Sequence, residues 1–299
     1  MTLAYKSVVL VKQVPDTTHI TGKAMKDDGT VNRGALPAIF NPEDLNALEM
    51  ALQVKDAYGG HVTVLTMGPP QAAEVLRDSL YRGADEVVLV TDRKVAGSDT
   101  LATSYVLKCA VETVGDDIDL VFCGRQAIDG DTAQVGPQVA EKLGLPQITY
   151  AEEILDLADG TITARRALPL GTETVRCRLP CLLTVVGSAN NPRPPSAKRS
   201  MAYKMAATPL EYKALLAQWP EFADTDELDA YLAERGARIP VWRAEDIGAE
   251  EGRIGLAGSP TKVSKVDFVV LEPSGSTEFE GTPEGITSLI HELVEDYIL

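Results

Sequence analysis

The chain has 299 residues, 44% of them hydrophobic and 24% charged, with 28 basic side chains against 44 acidic ones for a formal net charge of -16. That mixture argues against a disordered or collagen-like chain, and the excess of acid argues against a general binder of nucleic acid or anionic membrane. No apolar run approaches the ~20 residues of a membrane span, and the first residues lack the order of a secretory signal, so a cytoplasmic location is expected.

At roughly 150 residues per domain, the length allows one large domain or two modest ones. The charge is unevenly placed: 21 basic and 25 acidic residues occur in 1–204, against 7 and 19 in 205–299. A first domain over 1–204 and an acidic C-terminal extension over 205–299 are therefore expected. No acid occurs between Thr174 and Leu210, although Arg176, Arg178, Arg193, Lys198, Arg199 and Lys204 do, which predicts a local basic surface. Cys109, Cys123, Cys177 and Cys181 contain no CxxC pair, and His19, His61 and His291 stand apart from them in sequence. Reduced, mostly buried thiols and no metal site are expected.

In chain order, residues 7–11 form a β-branched run, and 61–67, 86–91 and 119–123 repeat its continuous apolar character, the mark of strands buried on both faces. Residues 42–57 carry Leu45, Leu48 and Leu52 on one helical face, with Asn41 as N-cap and Pro42 at the first position. Residues 71–81 align Ala72, Leu76 and Leu80 before Gly83, and 99–114 align Leu101, Tyr105 and Val111 before Gly115. This alternation predicts an α/β fold with a doubly wound, mostly parallel sheet, whose ligands bind beyond the carboxyl ends of the strands. Residues 162–166 and 174–179 read as an antiparallel hairpin added to that sheet, and 181–186 return to the core. Pro192, Pro194 and Pro195 make 190–196 a stiff exposed loop. Residues 210–235 read as one or two acidic helices, 248–260 as loop, and 282–297 as an amphipathic helix with Ile286, Leu289, Ile290 and Leu293 on one face.

The most informative stretch is Cys123-Gly124-Arg125-Gln126-Ala127-Ile128-Asp129-Gly130-Asp131-Thr132-Ala133-Gln134-Val135-Gly136-Pro137, which leaves a strand and enters a helix. Its glycines permit close backbone approach and the incoming helix offers N–H groups to phosphate, although neither a P-loop nor the dinucleotide GxGxxG pattern is present. The alternative is a polar turn opening a helix. Asp129 and Asp131 would repel a phosphate they faced, so they are expected to cap the helix or pin the loop. A second stretch, Ala96-Gly97-Ser98-Asp99-Thr100-Leu101-Ala102-Thr103-Ser104, opens the preceding helix with four hydroxyls and one carboxylate. It reads either as the other wall of an anion crevice or as ordinary capping by Ser98 or Asp99. Asn41 and Met67 lie at the same edge, Met67 as ligand wall or as core.

Together, Val11-Lys12-Gln13-Val14-Pro15-Asp16-Thr17, Asn41-Pro42, Gly83-Ala84-Asp85 and the 123–137 stretch resemble the beta subunit of electron-transfer flavoproteins. The likeness runs from Val8 to about Lys204 and resumes over 255–263. Glu173, Val175, Pro180 and Leu182-Leu183-Thr184 fit the family's signature, whereas Leu168-Pro169-Leu170-Gly171 replaces its acidic and glycine run and the insertion over 215–238 departs from it.

The resemblance implies a heterodimer whose alpha subunit holds a redox-active FAD, passing electrons between a dehydrogenase and an acceptor. In the conventional branch the beta subunit holds AMP. In the electron-bifurcating branch a second FAD takes that place, receives hydride from NADH and divides the electron pair between a partner dehydrogenase and a low-potential acceptor, ferredoxin or flavodoxin. Lys12 to Thr17 and Asp99 to Ser104 match the second pattern, so FAD is expected, with AMP as the alternative. The resemblance assigns nucleotide contact to Leu10, Asn41, Met67 and Cys123 through Thr132, with Gln134 and Val135 next, and places Thr100, Thr103 and Ser104 near the pyrophosphate. No catalytic side chain is required, because a flavin carries the chemistry, and any NADH oxidation belongs to the alpha–beta complex. Arg125 either serves the flavin or its diphosphate, or sits in a surface salt bridge. Residues 191–201, Asn191 to Met201, correspond to the loop that docks partner dehydrogenases, and 205–299 to an extension and arm that contact the alpha subunit.

Two other classes share the layered α/β logic. A nucleotide-sensing universal-stress-type module would need no second subunit, and an adenylating enzyme of the adenine-nucleotide alpha-hydrolase type would need a His-x-x-His or pyrophosphate-loop element, which this chain lacks.

Overall fold

The computed structural model describes residues 4–16, 37–262 and 277–295. Of the sequence features above, Thr17, His19, Val263 and the helix beyond Glu295 lie outside them.

The expected strands form. Strand β1 (Tyr5–Val11) is followed by a small antiparallel pair, β2 (Gln13–Pro15) and β3 (Ala38–Phe40), and by helix α1 (Pro42–Tyr58). Then come β4 (Gly60–Met67), α2 (Ala73–Arg82), β5 (Glu86–Val90), α3 (Thr100–Val114), β6 (Leu120–Gly124) and α4 (Val135–Leu143). Strand β8 (Thr161–Leu168) pairs antiparallel with both β7 (Gln147–Ala158) and β9 (Gly171–Arg178), and β10 (Cys181–Val185) returns between β6 and β7. Strand β11 (Val241–Trp242) adds to the far edge, giving the order β11-β5-β4-β1-β6-β10-β7-β8-β9, parallel from β11 to β7.

Because the sheet is covered on both faces, successive residues of a central strand enter different cores. Val9 and Val11 join Leu48, Leu52 and Leu76 of α1 and α2, whereas Val8 and Leu10 join Tyr105, Val106 and Val139 of α3 and α4. This is why the strands read as continuous apolar runs. The chain builds β1, β4 and β5 to one side and returns with β6 and β10 to the other, so the order reverses between β1 and β6.

Two features differ from the expectation. Leu101, expected on the buried stripe with Tyr105 and Val111, is 43% exposed, because the first turn of α3 projects past the carboxyl edge of the sheet. Strand β7, which precedes the expected hairpin, was not expected; charged residues and two register shifts against β8 hide its alternation. Beyond Lys204 the chain continues to pack on both cores. After the short helix α5 (Ala197–Ala202), Tyr212, Leu228 and Leu232 from α6 (Tyr212–Leu216) and α7 (Thr225–Glu234) enter the first core, Ile247 and Ile254 enter the second, and the compact units divide between Ser264 and Lys265. In the second unit, α8 (Pro283–Glu295) leaves Ile286, Leu289, Ile290 and Val294 exposed.

Candidate functional site

The carboxyl ends of β1 and β6 meet where the strand order reverses, the position at which doubly wound sheets form a ligand crevice. The first residues of α1 build its floor. Asp44 accepts the Lys12 N–H from the end of β1 at 2.9 Å and the Gly124 N–H from the end of β6 at 2.8 Å. Glu43 accepts the Gln126 N–H at 3.0 Å and holds the Arg125 guanidinium at 3.2 and 3.0 Å. Asn41 occupies the expected N-cap position, but its side chain makes no capping bond. Its amide instead donates to the Gln126 carbonyl at 2.9 Å and accepts the Ile128 N–H at 3.1 Å, so it holds the loop beyond β6.

Close approach explains the glycines at both ends of this loop. A Cβ on Gly124 would lie 2.5 Å from Asp44 Oδ1, and one on Gly136 would lie 2.7 Å from Cys123 Sγ. Cys123 is buried, and burial, reinforced by the nearby Asp44, pushes its thiol well above the usual range, so it is a packing residue and not a nucleophile. Asp44 is only 6% exposed. Loss of solvation raises its carboxyl to about 7, against the opposing pull of two backbone N–H groups, Asn41 and the Lys12 charge.

The acidic residues of the loop are pinned, as one of the two expected roles required. Asp129 receives Lys12 Nζ at 2.7 Å on each oxygen, and Asp131 receives Gln126 Nε2 at 2.8 Å. Neither caps α4, whose N-cap is Gln134 without a side-chain bond. Asp131 and Ala133 take left-handed φ values of 48° and 52° on either side of Thr132. Among the described residues, no acceptor takes the backbone N–H of Thr132, Ala133, Gln134, Val135 or Gly136. A run of free amides around left-handed residues is an arrangement able to bind an anion, and the N-terminus of α4 adds its dipole to it. Left-handed non-glycine residues cost about 1–3 kcal/mol each and cluster at binding sites.

Across the crevice, Asp99 caps α3 by accepting the Ala102 N–H at 3.0 Å, and its other oxygen accepts Thr261 N–H at 3.0 Å and Thr261 Oγ1 at 2.7 Å. Ser98 accepts the Gly255 N–H at 3.0 Å, so this opening also anchors the 255–261 segment. Thr100 donates to Gln134 Oε1 at 2.8 Å, while Ser104 bonds to the Leu101 carbonyl at 2.9 Å and to Gln138 Oε1 at 3.0 Å. Thr103 is half-buried, and its hydroxyl has no hydrogen-bond partner among the described residues.

The structure thus brings Asn41, Thr100 and the residues from Gly124 to Val135 together at one edge, with Met67 half-buried at the end of β4. Leu10, Cys123 and Ser104 lie below the surface. Arg125 is committed to Glu43, with its guanidinium carbon 5.7 Å from the Tyr150 ring centre. Glu43 and Asp44 are not expected here from sequence; acids in a first helical turn after Asn-Pro read as simple complements to the helix dipole.

The basic loop over 191–201 is divided in role. Arg193 binds Glu49 at 2.8 and 3.1 Å and Asp56 at 2.8 Å. Arg199 donates to the Leu80 carbonyl at 2.6 Å and to the Ala84 carbonyl. Both arginines fasten the loop to α1 and α2, whereas Lys198, Met201 and Lys204 face outward.

Among the described residues, no helix is long and apolar enough to cross a membrane, and no group of three or more His, Cys, Asp or Glu residues is placed to hold a metal ion. The family model described as the electron transfer flavoprotein domain matches residues 28–210. The electron transfer flavoprotein subunit beta of Clostridium acetobutylicum is 39% identical over 292 residues, covering 98% of this chain and 99% of the relative. The acryloyl-CoA reductase electron transfer subunit gamma of Anaerotignum propionicum is 39% identical over 296 residues, covering 97% and 98%. The caffeyl-CoA reductase-Etf complex subunit CarD of Acetobacterium woodii is 40% identical over 295 residues, covering 98% and 99%. With a doubly wound sheet, an amide-lined crevice at its switch point and similarity along nearly its whole length, the chain belongs to the beta-subunit line of the electron transfer flavoprotein family.

Proposed function

We propose that the crevice between β1, β6 and the start of α4 binds an adenine nucleotide, and that this nucleotide is FAD in a heterodimer with an electron transfer flavoprotein alpha subunit. The observation that carries this is the run of free N–H groups from Thr132 to Gly136. Those amides would meet phosphate, Asn41 and Glu43 hold the loop that presents them, and Gly124 and Gly136 keep the floor closed beneath it. Bound FAD would supply hydride acceptance from NADH and division of the electron pair between a dehydrogenase and ferredoxin or flavodoxin. Two relatives are named for reductases, one as an acryloyl-CoA reductase electron transfer subunit and one as a caffeyl-CoA reductase-Etf complex subunit, which supports a reductase partner for this chain. The partner dehydrogenase is accordingly of the acyl-CoA reductase kind and docks beside residues 191–201 through Lys198, Met201 and Lys204. The terminal unit with α8 serves as an arm on the alpha subunit.

A second reading, structural AMP, is favoured by one observation: the Thr100 and Ser104 hydroxyls already have partners in Gln134 and Gln138, which leaves fewer donors for a second phosphate. Flavin stoichiometry separates the two. The alpha–beta complex, reconstituted with excess FAD, is expected to carry two FAD molecules and to be reduced by NADH. One FAD with one AMP would overturn bifurcation and leave a conventional carrier, and no nucleotide at all in the beta crevice would overturn both.

A further inference from the structure

We infer that Glu49 is a positioning residue for the docking loop: its buried carboxylate fixes Arg193 at the root of the loop, so that the outward face carrying Lys198 and Met201 is presented ready-made to the acyl-CoA reductase. This rests on the reading that the partner docks beside residues 191–201 and adds the device that shapes that surface before any partner arrives.

Between β10 and α5 the described chain contains no helix or strand that could hold it in place. Pro192, Pro194 and Pro195 also lack backbone donors, so residues 192–196 keep only two N–H groups, those of Arg193 and Ser196. Both bond to the scaffold. Glu49 Oε2 accepts the Arg193 N–H at 3.0 Å, and the Tyr81 carbonyl at the end of α2 accepts the Ser196 N–H at 2.9 Å. Asn46, one turn before Glu49 on α1, donates to the Asn190 carbonyl at 2.8 Å and to its side-chain oxygen at 3.1 Å, and the Asn190 amide donates back to the Asn46 carbonyl at 3.0 Å. Arg82 reaches the Arg193 carbonyl, and Arg199 reaches the carbonyls of Leu80 and Ala84. Fastenings thus recur at 190, 193, 196 and 199, whereas Lys198 and Met201 face outward.

Glu49 holds both parts of one loop residue. Its side chain is only 7% exposed, and both its oxygens are filled. Oε2 accepts the Arg193 N–H and also Arg193 Nε at 2.8 Å, while Oε1 accepts Arg193 Nη2 at 3.1 Å and Gln53 Nε2 at 3.2 Å. One carboxylate therefore fixes the backbone and the guanidinium together. A buried ion pair adds little net stability over apolar packing, but it defines a single geometry. A loop held in that way loses little further conformational entropy when a partner binds.

Glu49→Gln keeps the size of the side chain and turns one oxygen into an NH2 group that faces other donors. The full-length chain, in complex with its alpha subunit and reduced with dithionite, is mixed with increasing amounts of the acyl-CoA reductase purified from the same cells, and flavin reoxidation is followed. In Glu49→Gln the reductase concentration at half-saturation is expected to rise about tenfold, because the loop must then be ordered on docking, while the limiting rate stays unchanged. The rise is expected to persist as salt is added, in contrast to that of Lys198→Glu with Lys204→Glu, whose charges are exposed and screened. Trypsin is expected to cut after Lys198 faster in Glu49→Gln, a direct measure of loop opening. Glu49→Gln with Arg193→Met leaves no buried charge unpaired and carries the same expectation if Glu49→Gln alone does not fold. An unchanged half-saturation, a fall in limiting rate instead, or a rise that salt abolishes would each overturn the inference. Original complex whose reoxidation does not respond to the reductase, or is insensitive to Lys198→Glu with Lys204→Glu, would overturn the docking reading itself, and this inference with it.

Discussion

Asp44 concentrates the physical tension of the site in one carboxyl group. It is buried, it is tied to backbone amides of two strands, and burial raises its carboxyl to about 7 from the ordinary 3.8. The folded state therefore binds the proton more tightly than the unfolded one. The stability this adds is full below about pH 4 and is lost as pH rises through about 7, by an amount on the order of a few kcal/mol. Asp44→Asn cannot titrate, and its amide nitrogen must face one of the two N–H donors. It is expected to be clearly less stable than the original at pH 5.5, with the gap narrowing towards pH 8, as measured by urea unfolding at each pH. Parallel profiles would refute the assignment. Gly124→Ala probes the same contact from the other side. A Cβ 2.5 Å from Asp44 Oδ1 and 2.7 Å from Asp44 N forces a shift of helix backbone, so a loss of about 1–3 kcal/mol is expected along with weaker nucleotide binding.

At the scale of elements, what was legible in the sequence followed burial. Strands β1, β4, β5 and β6 are buried on both faces and read directly as apolar runs, and the α1 and α2 stripes point into one core as their spacing predicts. Strand β7 did not read, because Gln147–Ala158 mixes Glu152, Glu153 and Asp156 with apolar residues and slips register against β8. Strand β11 is two residues long and rests on tertiary pairing alone. In the candidate site, glycine content singles out the 123–137 loop, but the left-handed turns fall on Asp131 and Ala133, where only the packed structure reveals them. The basic loop after β10 shows the same division. Its charges were visible, but not which of them faces inward. Arg199 satisfies carbonyls at the end of α2 and just beyond it, whereas Lys198 and Lys204 are exposed. Lys198→Glu with Lys204→Glu is expected to slow electron transfer to the dehydrogenase at low ionic strength while changing stability by less than about 0.5 kcal/mol. Arg199→Glu is expected to cost at least about 1.5 kcal/mol by thermal or urea unfolding, because it strips those carbonyls of a charged donor. Equal stability of the two variants would refute this division.

At the scale of the whole chain there are two compact units. The first closes cores on both faces of its sheet, and no buried side-chain polar atom among the described residues lacks a hydrogen-bond partner. Its last described segment is fastened beside the crevice by Asp99 to Thr261 and by Ser98 to Gly255. The second unit carries α8 with Ile286, Leu289, Ile290 and Val294 exposed, a stripe that isolated water-exposed helices do not retain without a partner surface. If this unit is the arm that grips the alpha subunit, its apolar stripe contributes to the heterodimer. Ending the chain after Lys262 keeps the Asp99–Thr261 anchor and removes the stripe. The shortened chain is expected to melt within a few degrees of the original when isolated, and to bind the alpha subunit at least tenfold more weakly, a loss of about 1.4 kcal/mol or more. Leu289→Lys with Ile290→Lys in the full chain should reproduce most of that loss without shortening anything, since each places a charge on the stripe. Unchanged affinity in both variants, measured by titration of purified alpha subunit, would show that the alpha subunit is held by the first unit alone.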